Sequence, residues 1–430
     1  MGAGQAFDWS GARAAFFAGE YSRCCALLAG APEPQAQIWH ARIDSRQVRY
    51  ADAIARLLAF TTPDPEVAAE RDTWLAAAYA NSGEIAMAHQ LLDRAFDVLR
   101  APHENYYRAL HVLSISQYLG GEYAAQERTI ERSLESPYPV DRAQAYSHRS
   151  WIAARREDFR AQIRDLLSAL QEHEESGYLD QYAFTIVLLA LAALCREIPT
   201  TGIVERVRGA ARHVRSTEGT VSSRFQLLRV LGWIDALQGN EISALSRFRE
   251  AEAAVPSEFW NVFCLVDRAY LARAMQRRHA ARDALRRAEI DASRLPWENT
   301  RDEERLVLLT IAQLFAPENP ALAERYLAAF RSLKTGMHAR MGWIGDRRTR
   351  ALQLYPHGIA LLHLGERSAA LDMLKEAWRI FTDVEYGWRA ALCAFDLYEA
   401  TAEPQWLERA REQIAPWPQS WVAREVRNSG

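Results

Sequence analysis

The chain has 430 residues, of which 49% are hydrophobic, 25% charged and 10% aromatic, and its formal net charge is −3. That composition excludes collagen-like, disordered and disulfide-scaffold classes, and so balanced a charge gives no global pull on nucleic acid or anionic membrane. The opening MGAGQAF has neither a basic stretch nor a long apolar run, and Ala6 stands where a myristoylation pattern wants Ser or Thr, so a cytoplasmic chain is expected.

Ala, Leu, Arg and Glu fill nearly every window, and apolar residues recur at i, i+3, i+4 and i+7. No period-two stretch of strand length appears. The pattern predicts an all-α protein with helices of roughly 10–18 residues. Short polar turns punctuate it in chain order: Ala18-Gly19-Glu20-Tyr21, Ser82-Gly83-Glu84, Gly120-Gly121-Glu122-Tyr123, Arg156-Glu157-Asp158-Phe159, Gln238-Gly239-Asn240-Glu241, the weaker Gln276-Arg277-Arg278-His279, and Leu364-Gly365-Glu366-Arg367. Gly83 to Gly121 is 38 residues, Gly121 to Glu157 is 36, and Gly239 to Arg277 is again 38. Two helices per fixed period of this length are the mark of an α-solenoid, with about eleven helix pairs in a chain this long.

Three segments stand out. Residues 181–195 are uncharged, but their 15 residues are too few to span a bilayer, so they read as a helix buried on most sides. Residues 334–346 hold three glycines and are expected to form a looser joint between pairs. Residues 387–426 give a last helical pair, then Pro416-Trp417-Pro418 and a short helix from Gln419. One repeat domain over 1–415 with a C-terminal helix and tail over 416–430 is the expected organisation. The cysteines, Cys24, Cys25, Cys195, Cys264 and Cys393, are odd in number and mostly scattered, which suits reduced thiols. Of the vicinal pair, one buried and one edge thiol are expected, because a disulfide between neighbours in a helix is hardly feasible.

The repeats resemble the tetratricopeptide family. Residues 228–256 carry the fullest match: Leu228, Leu231-Gly232, Ala244, Phe248, Ala251 and Pro256. Leu75, Ala76, Tyr79, Gly83, Ala88 and Ala95 carry a second, and Gly358, Gly365, Ala370, Leu374 and Ala377 a third. Gly232 and Ala244 are small where two helices cross closely, Phe248 and Ala251 pack toward the next repeat, and Pro256 stops the second helix. The resemblance implies a right-handed superhelix of antiparallel pairs, with first helices on the concave wall. The stretch 387–426 is also similar to the segment that closes the repeat region of bacterial LuxR- and MalT-type regulators. That likeness implies a sensor whose DNA-reading domain is not in this chain.

Motifs for chemistry are sparse. Neither of the two lysines follows a glycine-rich turn, so a phosphate-binding loop is excluded. There is no G-x-S-x-G elbow and no H-E-x-x-H, and the eleven histidines are dispersed. No enzyme, cofactor or metal site is expected. Basic clusters such as Arg277-Arg278 and Arg286-Arg287 fall at turns or among acids, so direct nucleic-acid binding is not expected either.

The resemblance also places the concave-wall positions. They fall on Arg108, His111, Ile115 and Tyr118, then Gln144, Ser147, Trp151 and Arg155. In the later pairs they fall on Gln226, Arg229 and Trp233, and on Tyr355, Ile359 and His363. Of these, Arg108, His111, Tyr118, Trp151, Arg155, Arg229, Trp233, Tyr355 and His363 are the candidate groove residues. Aromatic rings give contact area at low entropy cost and arginine grips a carboxylate, so a protein, peptide or small-molecule signal is the expected partner. The family's lysine–asparagine clamp is absent. A self-associating scaffold, in which the same side chains merely fill the superhelix, is the alternative, and a homo-oligomer is left open.

Overall fold

The computed structural model describes residues 7, 9–194, 202–214, 216–254, 258–295, 297, 302–333 and 346–429. The expected joint over 334–346 lies, but for Asp346, outside the described residues, as do Cys195 and Pro256. Among the described residues there are 23 α-helices and no strand, as the periodicity requires.

The chain divides into two compact units. The first comprises Met1–Ala154, Asp158–Ile186 and Val214–Thr220. Its helices are α1 (Trp9–Phe17), α2 (Tyr21–Leu28), α3 (Glu33–Arg46), α4 (Tyr50–Leu58), α5 (Pro65–Ser82), α6 (Ile85–Val98), α7 (Glu104–Gly120), α8 (Tyr123–Leu134), α9 (Pro139–Arg155), α10 (Phe159–Ser176) and the first half of α11 (Leu179–Leu194). The second unit holds the rest of α11, α12 (Gly202–Ala211), α13 (Val221–Leu237), α14 (Glu241–Ala253), α15 (Glu258–Ala274), α16 (Arg278–Ala292), α17 (Asp302–Phe315) and α18 (Pro320–Ser332). It continues with α19 (Asp346–His363), α20 (Arg367–Asp383), α21 (Gly387–Thr401), α22 (Pro404–Ile414) and α23 (Trp421–Asn428). Consecutive helices pack as hairpins, and first helices also pack on the next first helix, as α5 does on α7 and α17 on α19.

One turn recurs inside the hairpins. After α5, Gly83 takes φ +96°, its N–H returns to the Ala80 carbonyl at 3.1 Å, and Glu84 N–H returns to Tyr79 at 2.9 Å. These are the two return bonds of a left-handed helix stop. The same pair of bonds closes α7 at Gly121 and α13 at Gly239. Val48, Glu157 and Gln276 adopt that left-handed conformation too, at φ +64°, +60° and +58°, although they carry a Cβ. The geometric period is therefore kept along the chain where the glycine is lost: 48, 83, 121 and 157, then 239 and 276.

Packing explains the small residues. A Cβ on Gly232 would stand 3.0 Å from two carbons of the Phe248 ring, and Phe248, Ala244 and Ala251 are fully buried. The Phe248 ring lies over its own pair, with its centroid 5.7 Å from that of Trp233. Its carbonyl reaches the following helix, where it accepts the Cys264 thiol at 2.9 Å. Cys24 is buried and Cys25 half-exposed, as the sequence suggests for that pair. The apolar α11 is buried on most sides. No helix among the described residues is long and apolar enough to cross a membrane.

Residues after α22 pack into the second unit. The Ser420 hydroxyl accepts the Ala423 N–H at 3.1 Å and so starts α23 at Trp421, two residues later than Gln419. Trp417, Trp421, Val422, Ala423 and Val426 are buried, and the Trp421 ring meets Tyr270 at 6.1 Å.

Candidate ligand cavity

The candidate groove residues separate into two groups. In the first unit, Arg108 pairs with Glu104 and lies 3.7 Å from Glu70, so its charge is matched. His111 stacks on His148 at 4.6 Å with 14° between the rings, and His148 meets Trp151 at 4.5 Å. Tyr118 packs against Trp151 at 5.4 Å. Burial pushes both imidazoles down, His148 to about 3, so this cluster is uncharged at neutral pH. Arg155, at the end of α9, counts with the second unit and is half-buried. The rings of this cluster pack on one another, and His148 Nδ1 meets the Ser114 hydroxyl at 2.9 Å.

In the second unit the candidates converge on a cavity of about 230 Å³. Helix periodicity decides its lining. Gln226, Arg229, Val230 and Trp233 come from α13 at i, i+3, i+4 and i+7, and Trp260, Phe263, Val266, Asp267 and Tyr270 come from α15. Leu306, Val307, Thr310 and Gln313 of α17, Leu352, Tyr355 and Pro356 of α19, and Trp388 and Arg389 of α21 complete most of it. The lining helices are the first members of their pairs, as the resemblance implies. Trp233 and Trp388 stack at 6.0 Å with 23° between planes. The Trp388 indole N–H donates to the Leu194 carbonyl at 3.0 Å, which fixes the ring in the wall.

The polar groups are few. Arg229 and Asp267 form an ion pair at 2.7 Å. The guanidinium of Arg389 lies 4.1 Å over Trp388 and 5.9 Å from the Trp233 ring, and its buried Nε has no hydrogen-bond partner. A second cavity of about 360 Å³ shares Tyr270, Gln313 and Tyr355 with the first, and adds Ile359, His363, Asp396 and Trp421 among others. There the Tyr355 hydroxyl donates to Asp396 at 2.5 Å. Burial pushes the Asp396 carboxyl up to about 7 against the effect of that hydrogen bond. Burial and then Arg273 push His363 below its usual range.

Arg229, Trp233, Tyr355 and His363 are thus placed at cavities, with Gln226 and Ile359 beside them. Sequence reasoning missed Trp260, Phe263, Asp267, Trp388 and Arg389. The signal for the first three was present: they lie 34 residues after Gln226, Arg229 and Trp233. Trp388 and Arg389 follow the turn at Glu385, which has φ +54° but no glycine to advertise it. Among the described residues, no three His, Cys, Asp or Glu side chains gather to hold a metal ion.

No family model matches the chain, and no curated protein matches it in sequence. Solved structures are similar to it only remotely. A human IFIT1 dimer with m7Gppp-AAAA is 14% identical, with 99% of this chain and 96% of that chain covered and a TM-score of 0.46. The APC/C hetero-tetramer Cut9–Hcn1 is 12% identical over 97% of this chain and 88% of that one, at 0.33. Naa15/Naa10 bound to HypK-THB is 15% identical over 93% and 76%, at 0.26. Likenesses this distant leave the ligand of this chain to be argued from its own residues.

Proposed function

We propose that this chain is a non-enzymatic helical-repeat binding module whose ligand occupies the cavity on the inner faces of the second unit's first helices. One observation carries the reading. Five successive first helices, from α13 to α21, turn side chains into one space whose walls are mostly aromatic and aliphatic and whose charged groups, among the described residues, are three. Concave, largely apolar sites with a few placed polar groups are where proteins hold ligands. The finer form of the proposal is sensing in transcription control: occupancy is passed to a DNA-reading domain elsewhere, and this chain makes no direct contact with nucleic acid. Its support is the sequence likeness of 387–426 alone.

Filling the cavity tests the proposal. Thr310 lines it from α17, and Thr310→Trp would occupy the space that a ligand needs. A mixed panel of peptides and small amphipathic molecules is screened by thermal shift against both proteins. Binders should raise the Tm of the natural chain and leave the filled variant unmoved. Binders that stabilise both equally would place the site elsewhere.

Self-association is favoured by a different observation. Leu27, Val48 and Leu58, in the first two hairpins, are 42%, 67% and 60% exposed. Light scattering should give a mass that rises with concentration and is restored to the monomer by Leu27→Lys with Leu58→Lys. A monomer at every concentration removes this reading.

A further inference from the structure

We infer that the cavity selects a small molecule with an apolar body of about two fused rings and a single anionic group, a monocarboxylate, held by Arg389. The inference rests on the proposed binding role of that cavity and names its ligand class.

The charge argument comes first. The charged residues that line the cavity are Arg229, Asp267 and Arg389. Arg229 and Asp267 cancel one another at 2.7 Å. Arg389 has no acidic partner among the described residues: it stacks on Trp388, and its buried Nε is without an acceptor. A guanidinium presents five donors in a fixed fork that matches a carboxylate, and ring stacking leaves its in-plane donors for such an acceptor. Among the described residues the cavity therefore carries one uncompensated positive charge within aromatic walls, where the low local dielectric strengthens attraction to an anion. The adjoining Asp396 is mostly protonated below pH 7 and cancels little of it there, because burial pushes its carboxyl up to about 7 despite the hydrogen bond from Tyr355.

Size follows from volume. An apolar cavity of about 150 Å³ holds benzene. The present one, at about 230 Å³, suits a naphthalene-sized body rather than a long peptide. Trp233 and Phe263 supply aromatic wall for such a ring, while Leu306, Val307 and Leu352 supply aliphatic wall.

The test uses naphthalene-1-acetate and its neutral isostere naphthalene-1-acetamide as probes. Both are titrated into the full chain by calorimetry. The acetate should bind at least roughly tenfold more tightly than the amide, the margin expected of a charge-assisted hydrogen bond. Arg389→Gln should abolish that preference while amide binding stays within about threefold, and Arg389→Lys should keep part of it. Unchanged far-ultraviolet dichroism shows that the variants fold. If both probes bind alike and Arg389→Gln changes nothing, the anion assignment fails while the cavity remains a binding site. If neither probe binds but a peptide does so in a manner blocked by Thr310→Trp, the ligand class is wrong and the binding role stands. Binding of the acetate that survives Thr310→Trp would overturn the assignment to this cavity.

Discussion

Replacing Gly232 by Ala puts two opposed effects on one atom. The helix gains about 1 kcal/mol, because glycine is a poor interior helix residue. The new Cβ, however, stands 3.0 Å from two carbons of the Phe248 ring, where carbon–carbon contacts settle at about 3.5–4.0 Å. Phe248 is fully buried and so are Ala244 and Ala251, so the ring has little room to retreat. Overpacking of this kind costs about 1–3 kcal/mol, and the net change should be a loss of roughly 1 kcal/mol. Phe248→Leu removes the ring edge at a cost of its own and should make Gly232→Ala favourable. The pair should then couple by about 1–2 kcal/mol. Urea denaturation followed by circular dichroism measures the total, and hydrogen exchange of the α13 and α14 amides localises it, since helical arrays can open in parts. If Gly232→Ala stabilises by the full helix term and adds simply to Phe248→Leu, the close crossing of this hairpin is refuted.

The other expectations are as specific. Val48 is 67% exposed and sits at φ +64°, a strained place for a β-branched residue, so Val48→Gly should raise stability by about 1 kcal/mol despite the lost methyls; a fall in the urea midpoint would contradict this. His173 is fully buried with neither ring nitrogen hydrogen-bonded, and burial pushes it down to about 3. The unfolded chain takes up that proton near pH 6.5, so the stability it contributes is present above about 6.5 and is lost as pH falls toward 3, at about 1.4 kcal/mol per pH unit. Asp141 and Asp396, raised to about 6 and 7, act in the opposite sense over part of the window. The difference between the natural chain and His173→Phe is therefore the quantity to measure, and equal slopes between pH 4 and 6 would refute the assignment. Asp165 is buried and takes two bonds from Arg149 at 3.0 and 2.9 Å, so Arg149→Met should cost about 3 kcal/mol and Asp165→Leu added to it should recover most of that; an additive loss would contradict it.

The hairpin frame was legible because glycine marks a left-handed helix stop, and Gly83, Gly121, Gly239 and Gly365 are such stops. It faded where tertiary packing holds Val48 or Gln276 in the same conformation at a local cost that composition does not reveal. The turn between α17 and α18 has no left-handed residue: α18 starts from the Asn319 side chain, which accepts the Leu322 N–H at 3.2 Å. Inner-wall positions could be carried along the chain only while the period stayed constant. The step from Gly239 to Gln276 is 37 residues, yet the matching wall residues lie 34 apart, so a count from turns drifts by a helical turn within one or two repeats. Arg229, Trp233 and Tyr355 lie close to recognised turns and were found, whereas Trp388 and Arg389 required coordinates. The division into two units falls partly inside a helix, between Ile186 and Val187 of α11, where the apolar sequence offers no break.

A crystal structure of the full chain with naphthalene-1-acetate tests the binding account most directly. It should show the ring system against Trp233 of α13 and Phe263 of α15, with the carboxylate within hydrogen-bond reach of Arg389 on α21. A cavity filled only by water, with the probe bound on an outer helix face, would contradict it.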